Sequence, residues 1–118
     1  LTGKKAYDSK LEREYHIQLL LQEKAGQIKD VRQWPSVELL PGIRYKPDFY
    51  FIDVKTGDEI WVDTKGVIGE RYRLIKKIWG LFGPGMLHEV MRMKYPRDAW
   101  AIKEIKSKGY TINVTPGL

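Results

Sequence analysis

The sequence predicts an α/β (α+β) chain, a mixed sheet flanked by helices, built as one domain over residues 1–118. Three observations carry that reading. Two segments, Ser9–Ala25 and Glu70–Phe82, place apolar residues at helical spacing. Between and after them lie β-forming runs punctuated by Gly and Pro. A chain of 118 residues with 42% hydrophobic side chains is long and apolar enough for one core.

The elements follow in order. Leu11, Tyr15 and Leu19 form an i, i+4 row, extended by Gln22 and widened by Ile17, Leu20 and Leu21. Ser9 with Glu12 three residues on matches a capping box, and Gly26 is a helix stop. Ile28–Trp34 and Val37–Leu40, broken by Pro35, read as short or edge strands. Pro41-Gly42 is a turn, and Ile43–Val54 reads as a strand rich in aromatic and β-branched residues. Lys55–Asp58 is a hairpin turn and Glu59–Lys65 the return strand.

In the second helix Tyr72, Ile75, Ile78, Trp79 and Phe82 share helical spacing, and Gly83-Pro84-Gly85 breaks it. Met86–Met93 reads as a strand. Pro96-Arg97-Asp98 opens a short helix holding Trp100, Ile102 and Ile105, with Gly109 as its stop. Tyr110–Val114 is a last strand. The predicted order is a helix, a three-stranded meander, then α, β, α, β.

Composition excludes several functions. With no cysteine there are no disulfides, thiolate metal sites or cysteine nucleophiles. His16 and His88 are too few for a three-histidine zinc site in one chain. A metal site here is mostly carboxylate, which suits a hard ion such as Mg²⁺ or Mn²⁺. Fourteen aromatic residues argue against disorder, and no apolar run is long enough to span a membrane. No signal-peptide pattern opens the chain, and Leu1 reads as a chain lacking its natural start.

Charge is unevenly placed. Residues 1–64 carry 10 basic and 11 acidic side chains, whereas residues 65–118 carry 11 basic and 4 acidic. A half that holds most of the acids, followed by a basic half, suits a site that holds cations and faces a polyanion. The plainer reading is a solvated basic surface.

The chemistry concentrates on two neighbouring strands. Alternation puts Trp61, Asp63 and Lys65 on one face of the return strand, and Arg44, Lys46, Asp48, Tyr50 and Ile52 on one face of its hairpin partner. Asp48 then lies close to Asp63. Two such carboxylates repel unless a cation lies between them. A divalent ion there, with Lys65 beside it and Glu12 brought by the first helix, assembles the parts that phosphodiester hydrolysis needs. Arg71, Arg73, Lys76 and Lys77 on the second helix are candidate phosphate contacts.

Each residue also has a structural reading. Glu12 closes the capping box, Asp48 is a strand-edge acid after Pro47, and Asp63 and Lys65 are a cross-strand charge pair. The four helix cations are the solvated face of an amphipathic helix, the tryptophans are core and rim packing, and the histidines are ordinary.

The arrangement Glu12, Pro47-Asp48, Asp63-Thr64-Lys65 resembles the PD-(D/E)XK nuclease superfamily. The stretches Ser9–Tyr15, Ile43–Phe49 and Val62–Gly66 are similar to small phage-encoded nuclease-like domains, and transposon end-cleaving endonuclease subunits carry a similar pattern. The resemblance runs from about Tyr7 to Ile78. It implies a restriction-endonuclease-like αβββαβ core and a Mg²⁺- or Mn²⁺-dependent endodeoxyribonuclease acting on DNA (duplex, nicked or branched). By that resemblance Asp48, Asp63 and the Thr64 carbonyl bind the metal, Lys65 is the catalytic lysine and Glu12 completes the site. Asp63 stands where the superfamily more commonly has Glu. Glu14 is a rival for Glu12, but lies about 200° further round the helix. The resemblance also points to phage DNA metabolism, with a homodimer or other phage replication or recombination proteins as partners and the host cytoplasm as location. The alternative is a non-catalytic or partner-dependent nucleic-acid-binding module on the same fold.

Overall fold

The computed structural model describes residues 9–96 and 99–112. Its elements are α1 (Lys10–Lys24), β1 (Ile28–Gln33), β2 (Val37–Leu40), β3 (Ile43–Tyr45), β4 (Phe49–Asp53), β5 (Glu59–Thr64), α2 (Glu70–Phe82), β6 (Met86–Arg92) and β7 (Trp100–Ile105). A five-stranded sheet runs β1-β4-β5-β6-β7, and β2 and β3 form a separate ribbon. The sheet is mixed, because β5 and β6 are parallel and the other pairs antiparallel. Parallel neighbours need a crossover, and α2 supplies it. None of the described helices is long and apolar enough to cross a membrane.

Local signals set the ends of α1. The Ser9 hydroxyl accepts from the Glu12 N–H at 3.1 Å. At the other end Gly26, at φ +78, lets its own N–H reach the Glu23 carbonyl while the Gln27 N–H reaches that of Gln22. That is a Schellman stop, and it needs the left-handed conformation glycine adopts freely.

The two faces of the sheet carry separate cores. Leu11, Tyr15 and Leu19 of α1 pack on Ile28, Phe49, Phe51, Ile60, Val62 and Val90. On the opposite face α2 and the ribbon join through Tyr45, Trp61, Tyr72, Ile75, Trp79 and Leu87. Strand alternation sends Ile60 and Val62 to one core and Trp61 to the other.

Trp79 lies at the centre of the second core. It is fully buried, edge-on to Tyr45 and Trp61, and its indole N–H donates to the Gly85 carbonyl at 2.9 Å. The Gly83-Pro84-Gly85 turn lies directly on these rings. A Cβ at Gly83 would meet the Trp79 indole at 2.7 Å, and one at Gly85 would meet Trp61 at 2.8 Å. These two glycines are required by close approach as well as by the turn.

Four expectations are corrected. First, Ile43–Val54 is not one strand, since Lys46-Pro47-Asp48 divides β3 from β4. Proline has no N–H for a ladder and restricts the residue before it, so Tyr45 pairs with Val37 in the ribbon instead. Second, the three-stranded meander is not contiguous in the chain: β1, β4 and β5 pair antiparallel in that order, with the ribbon of β2 and β3 inserted between its first two strands. Third, the predicted helix around Trp100–Ile105 is strand β7, hydrogen-bonded along β6. Arg97 and Asp98 of its proposed start lie outside the described residues. The open edge of β6 gave this segment a ladder, and Trp100 packs edge-on against Tyr15. Fourth, Tyr110–Ile112 forms no strand, and positions 113–114 lie outside the described residues. Here Lys108 and Tyr110 instead donate their N–H groups to the Gly80 and Leu81 carbonyls near the end of α2. Ile17, Leu20 and Leu21 also differ from expectation: they do not widen the buried face of α1 but are exposed.

Candidate functional site

The end of β5 is where the fold gathers charge. The Phe49–Val62 pairing sets the register, so Asp48, one residue before, stands beside Asp63. The Asp48 N–H donates to the Val62 carbonyl at 2.9 Å, which continues the ladder through this position. Asp48 is held from the side as well: Thr64 donates both its N–H, at 2.8 Å, and its hydroxyl, at 2.6 Å, to Asp48 Oδ2.

Asp63 is buried, and three groups contact it. The Tyr45 hydroxyl, brought by the ribbon, donates to Asp63 Oδ2. Lys65 Nζ lies 3.4 Å from the same oxygen. Asp48 presses its own negative charge on the pair. Burial first, and the Asp48 charge second, push the Asp63 carboxyl up to about 7 from an ordinary 3.8, against the opposing pull of Lys65 and Tyr45. Burial and the Asp63 charge in turn hold the Tyr45 hydroxyl far above the usual phenol range. An acid pushed up by a neighbouring acid inside a cleft is a marker of a functional site.

The cleft itself measures about 580 Å³ and lies between the ribbon, the end of β5 and the start of α2. Four cations border it, Arg44, Lys46, Lys65 and Arg71, around the two carboxylates. Lys65 extends over the Tyr72 ring, 4.3 Å from its centroid, a cation–π contact that fixes a long side chain. The first turn of α2 borders the same cleft, and its N-cap Gly69 contributes no side-chain bond to the helix N–H groups.

The structure brings three of the four expected catalytic residues together: Asp48, Asp63 and Lys65. Glu12 goes elsewhere. It is buried in the first turn of α1, and its carboxylate accepts from the Trp34 indole N–H at 3.0 Å. Trp34 sits at φ 52, a conformation uncommon for a bulky residue, and its own N–H donates to the Asp48 carbonyl at 2.7 Å. Glu12 therefore supports the backbone of Asp48 through Trp34. Among the described residues no three acidic or histidine side chains converge to hold a metal ion. Glu14, its rival, is paired with Arg92 at 2.5 Å, a contact that lowers its pKa.

A Glu12→Gln variant keeps the acceptor that Glu12 offers Trp34, whereas Glu12→Ala removes it. The alanine variant is expected to lose about 1–3 kcal/mol in denaturant unfolding while the glutamine variant stays near wild type. Equal losses in the two would show that Glu12 works through its charge.

The expected helix cations divide three ways. Arg71 borders the cleft, while Arg73 and Lys77 point outward from α2, opposite its buried face. Lys76 is corrected: it is mostly buried and paired with Glu89 at 2.8 Å, so it is not a phosphate contact. A buried acid needs that partner. Sequence reasoning passed over Tyr45, Tyr72 and Glu89 and gave Arg44 and Lys46 no binding role. Glu89 had one legible signal, an acid inside the apolar run Met86–Met91. His16, stacked on Phe49, is buried, His88, near Glu104, is partly buried, and burial pushes the pKa of each down.

Known protein families, curated proteins and solved structures give no match to this chain.

Proposed function

We propose that this chain is a nucleic-acid-binding domain on a restriction-endonuclease-like core, taking a phosphodiester backbone in the cleft at the end of β5. The observation that carries the reading is the cleft's composition: Arg44, Lys46, Lys65 and Arg71 around the apposed Asp48 and Asp63. Phosphate contacts from lysine and arginine supply most sequence-independent affinity, and they need this density of cations on one concave surface. The basic second half of the chain adds a long-range field of the same sign.

The test is fluorescence anisotropy with labelled single-stranded, duplex and four-way-junction DNA, and with RNA, over a salt series. Binding is expected to weaken steeply with salt. Lys46→Ala and Arg71→Ala are each expected to reduce the slope of log affinity against log salt by about 1. Lys77→Ala, away from the cleft, is expected to change it less. No salt-sensitive binding to any of these probes would overturn the reading.

A second reading, metal-dependent cleavage of DNA, is favoured by the pairing of Asp48 with Asp63 beside Lys65. The donors fit a hard divalent ion such as Mg²⁺ or Mn²⁺. Both are carboxylates; burial and then their repulsion raise the Asp63 pKa, and a cation would relieve the repulsion. Asp48, Asp63 and the Thr64 carbonyl would hold it. When bound, such an ion supplies charge neutralisation at the phosphate and an acidified water. The chain's own residues do the rest: Thr64 orients Asp48, Tyr45 holds Asp63, and Lys65 keeps a positive charge beside the phosphate as negative charge develops there. Incubating the same DNA forms with Mg²⁺, Mn²⁺ or EDTA tests it. Products that need metal and disappear in Asp63→Ala would support cleavage, and binding without products would leave the domain a non-catalytic or partner-dependent module. Tyr95, strongly exposed beyond β6, is a surface such a partner could use.

A further inference from the structure

The cations of the cleft lie at different depths. Arg44, Lys46 and Arg71 are exposed at its rim, and Asp63 is buried at its floor. Lys65 lies between, with 26% of its side chain exposed and its ammonium 3.4 Å from Asp63. A phosphate that touches Lys65 must enter the cleft, whereas the rim cations are reached from outside. The space is about 580 Å³. That is the size of a small-molecule pocket, about 300–1,000 Å³, with room for a short stretch of one strand. A duplex carries its phosphates on a convex surface around stacked pairs, so it can lie on the rim but not descend to Lys65.

The rim also holds a residue of a different kind. Val67, in the loop between β5 and α2, borders the cleft and is 84% exposed. Among the described residues no large apolar side chain is more exposed. Gly66 and Gly69 leave it unshielded, since each has open space where a side chain would stand. Ile68 packs on the second core, which anchors the loop and leaves Val67 projecting. An apolar side chain contributes nothing to phosphate contact. It suits a stacked base pair at the mouth, because apolar wedges enter base steps and unstack them. A β-branched side chain has few rotamers, so it keeps its shape against that pair.

We propose that the cleft takes an unpaired strand beside a duplex, with Val67 as the wedge that holds the flanking base pair open. This deepens the nucleic-acid reading above and rests on it. The strand's phosphates run between Arg44 and Lys46 on the ribbon and Lys65 and Arg71 on the other wall, while the paired part stays on the rim. An intact duplex must first be unpaired at the mouth, and that cost sets it below a substrate already open.

The experiment is fluorescence anisotropy over a salt series with three DNA probes of shared sequence: intact duplex, single strand, and duplex with a single-stranded extension. The last carries 2-aminopurine in the pair next to the extension, a base that brightens when unstacked. Wild type is expected to bind the extended duplex about tenfold or more tighter than the intact duplex, and to brighten the 2-aminopurine. Val67→Ser is expected to lose the brightening and to reduce that preference by about threefold or more. Val54→Ser, at an exposed valine in the β4–β5 turn outside the cleft, is expected to match wild type in both. Both valines are exposed, so neither change threatens the fold. Equal affinity for intact and extended duplex, or brightening retained in Val67→Ser, would overturn the proposal. No salt-sensitive binding to any probe would overturn the nucleic-acid reading beneath it, so the two failures are told apart.

Discussion

In metal-free protein, Asp63→Asn is expected to unfold at a higher temperature than wild type at pH 8 and to match it closely at pH 4. The sign follows from the raised pKa. The unfolded chain releases the Asp63 proton near 3.8, whereas the folded chain holds it to about 7. Between those values the folded state binds more protons than the unfolded state, so wild-type stability falls as pH rises. Above pH 7 the penalty is complete, and below about pH 4 it is absent. An amide cannot ionise, yet its carbonyl still accepts from the Tyr45 hydroxyl. The gain at pH 8 should be on the order of 1–3 kcal/mol, reduced by whatever Lys65 loses with its partner. The same variant is expected to lose divalent-ion binding and any cleavage. A variant that is both more stable and inactive identifies a site where function opposes stability. A pH profile with the wild-type slope would show that the apposed carboxylates do not strain the fold.

Trp79→Ala is expected to have the largest effect on folding, a loss of about 3–5 kcal/mol in denaturant unfolding. Trp79 is fully buried and joins three elements: α2 through its own backbone, the ribbon through Tyr45, and the sheet through Trp61. Its indole also ties down the Gly85 carbonyl. The consequence reaches the cleft, because the Tyr45 ring that rests on Trp79 carries the hydroxyl that holds Asp63. Trp79→Phe, which retains most of the ring contact, is expected to cost less and to spare that hydrogen bond. A loss under about 1 kcal/mol for the alanine variant would mean that the ribbon does not rest on this residue.

Much of the fold was legible in short-range pattern. Ser9 and Gly26 bracket α1, turn chemistry at 55–58 separates β4 from β5, and alternation correctly put Trp61, Asp63 and Lys65 on one face. These signals are local, so the sequence carries them in plain view. The errors lie where a segment's partner is distant. Trp100–Ile105 satisfies a helical pattern until β6 offers it a ladder, and a hydrogen-bonded edge outweighs weak periodicity in six residues. Ile43–Tyr45 reads as the start of β4 until Pro47 turns it away to pair with β2.

The site divides in the same manner. By itself the sequence determined that the chain has no cysteine chemistry, that its second half is basic, and that Asp48, Asp63 and Lys65 fall on facing strands joined by a hairpin. Strand periodicity and turn length suffice for that much. Only the tertiary structure decided that Glu12 supports Trp34 instead of joining the two aspartates, that Lys76 is committed to Glu89, and that Tyr45, Tyr72, Arg44 and Lys46 complete the cleft. Those assignments depend on which face each helix buries and on where the ribbon lands. Packing settles both, α1 through Leu11, Tyr15 and Leu19 in one core and α2 and the ribbon through Trp79 and its neighbours in the other, contacts among residues far apart in the chain.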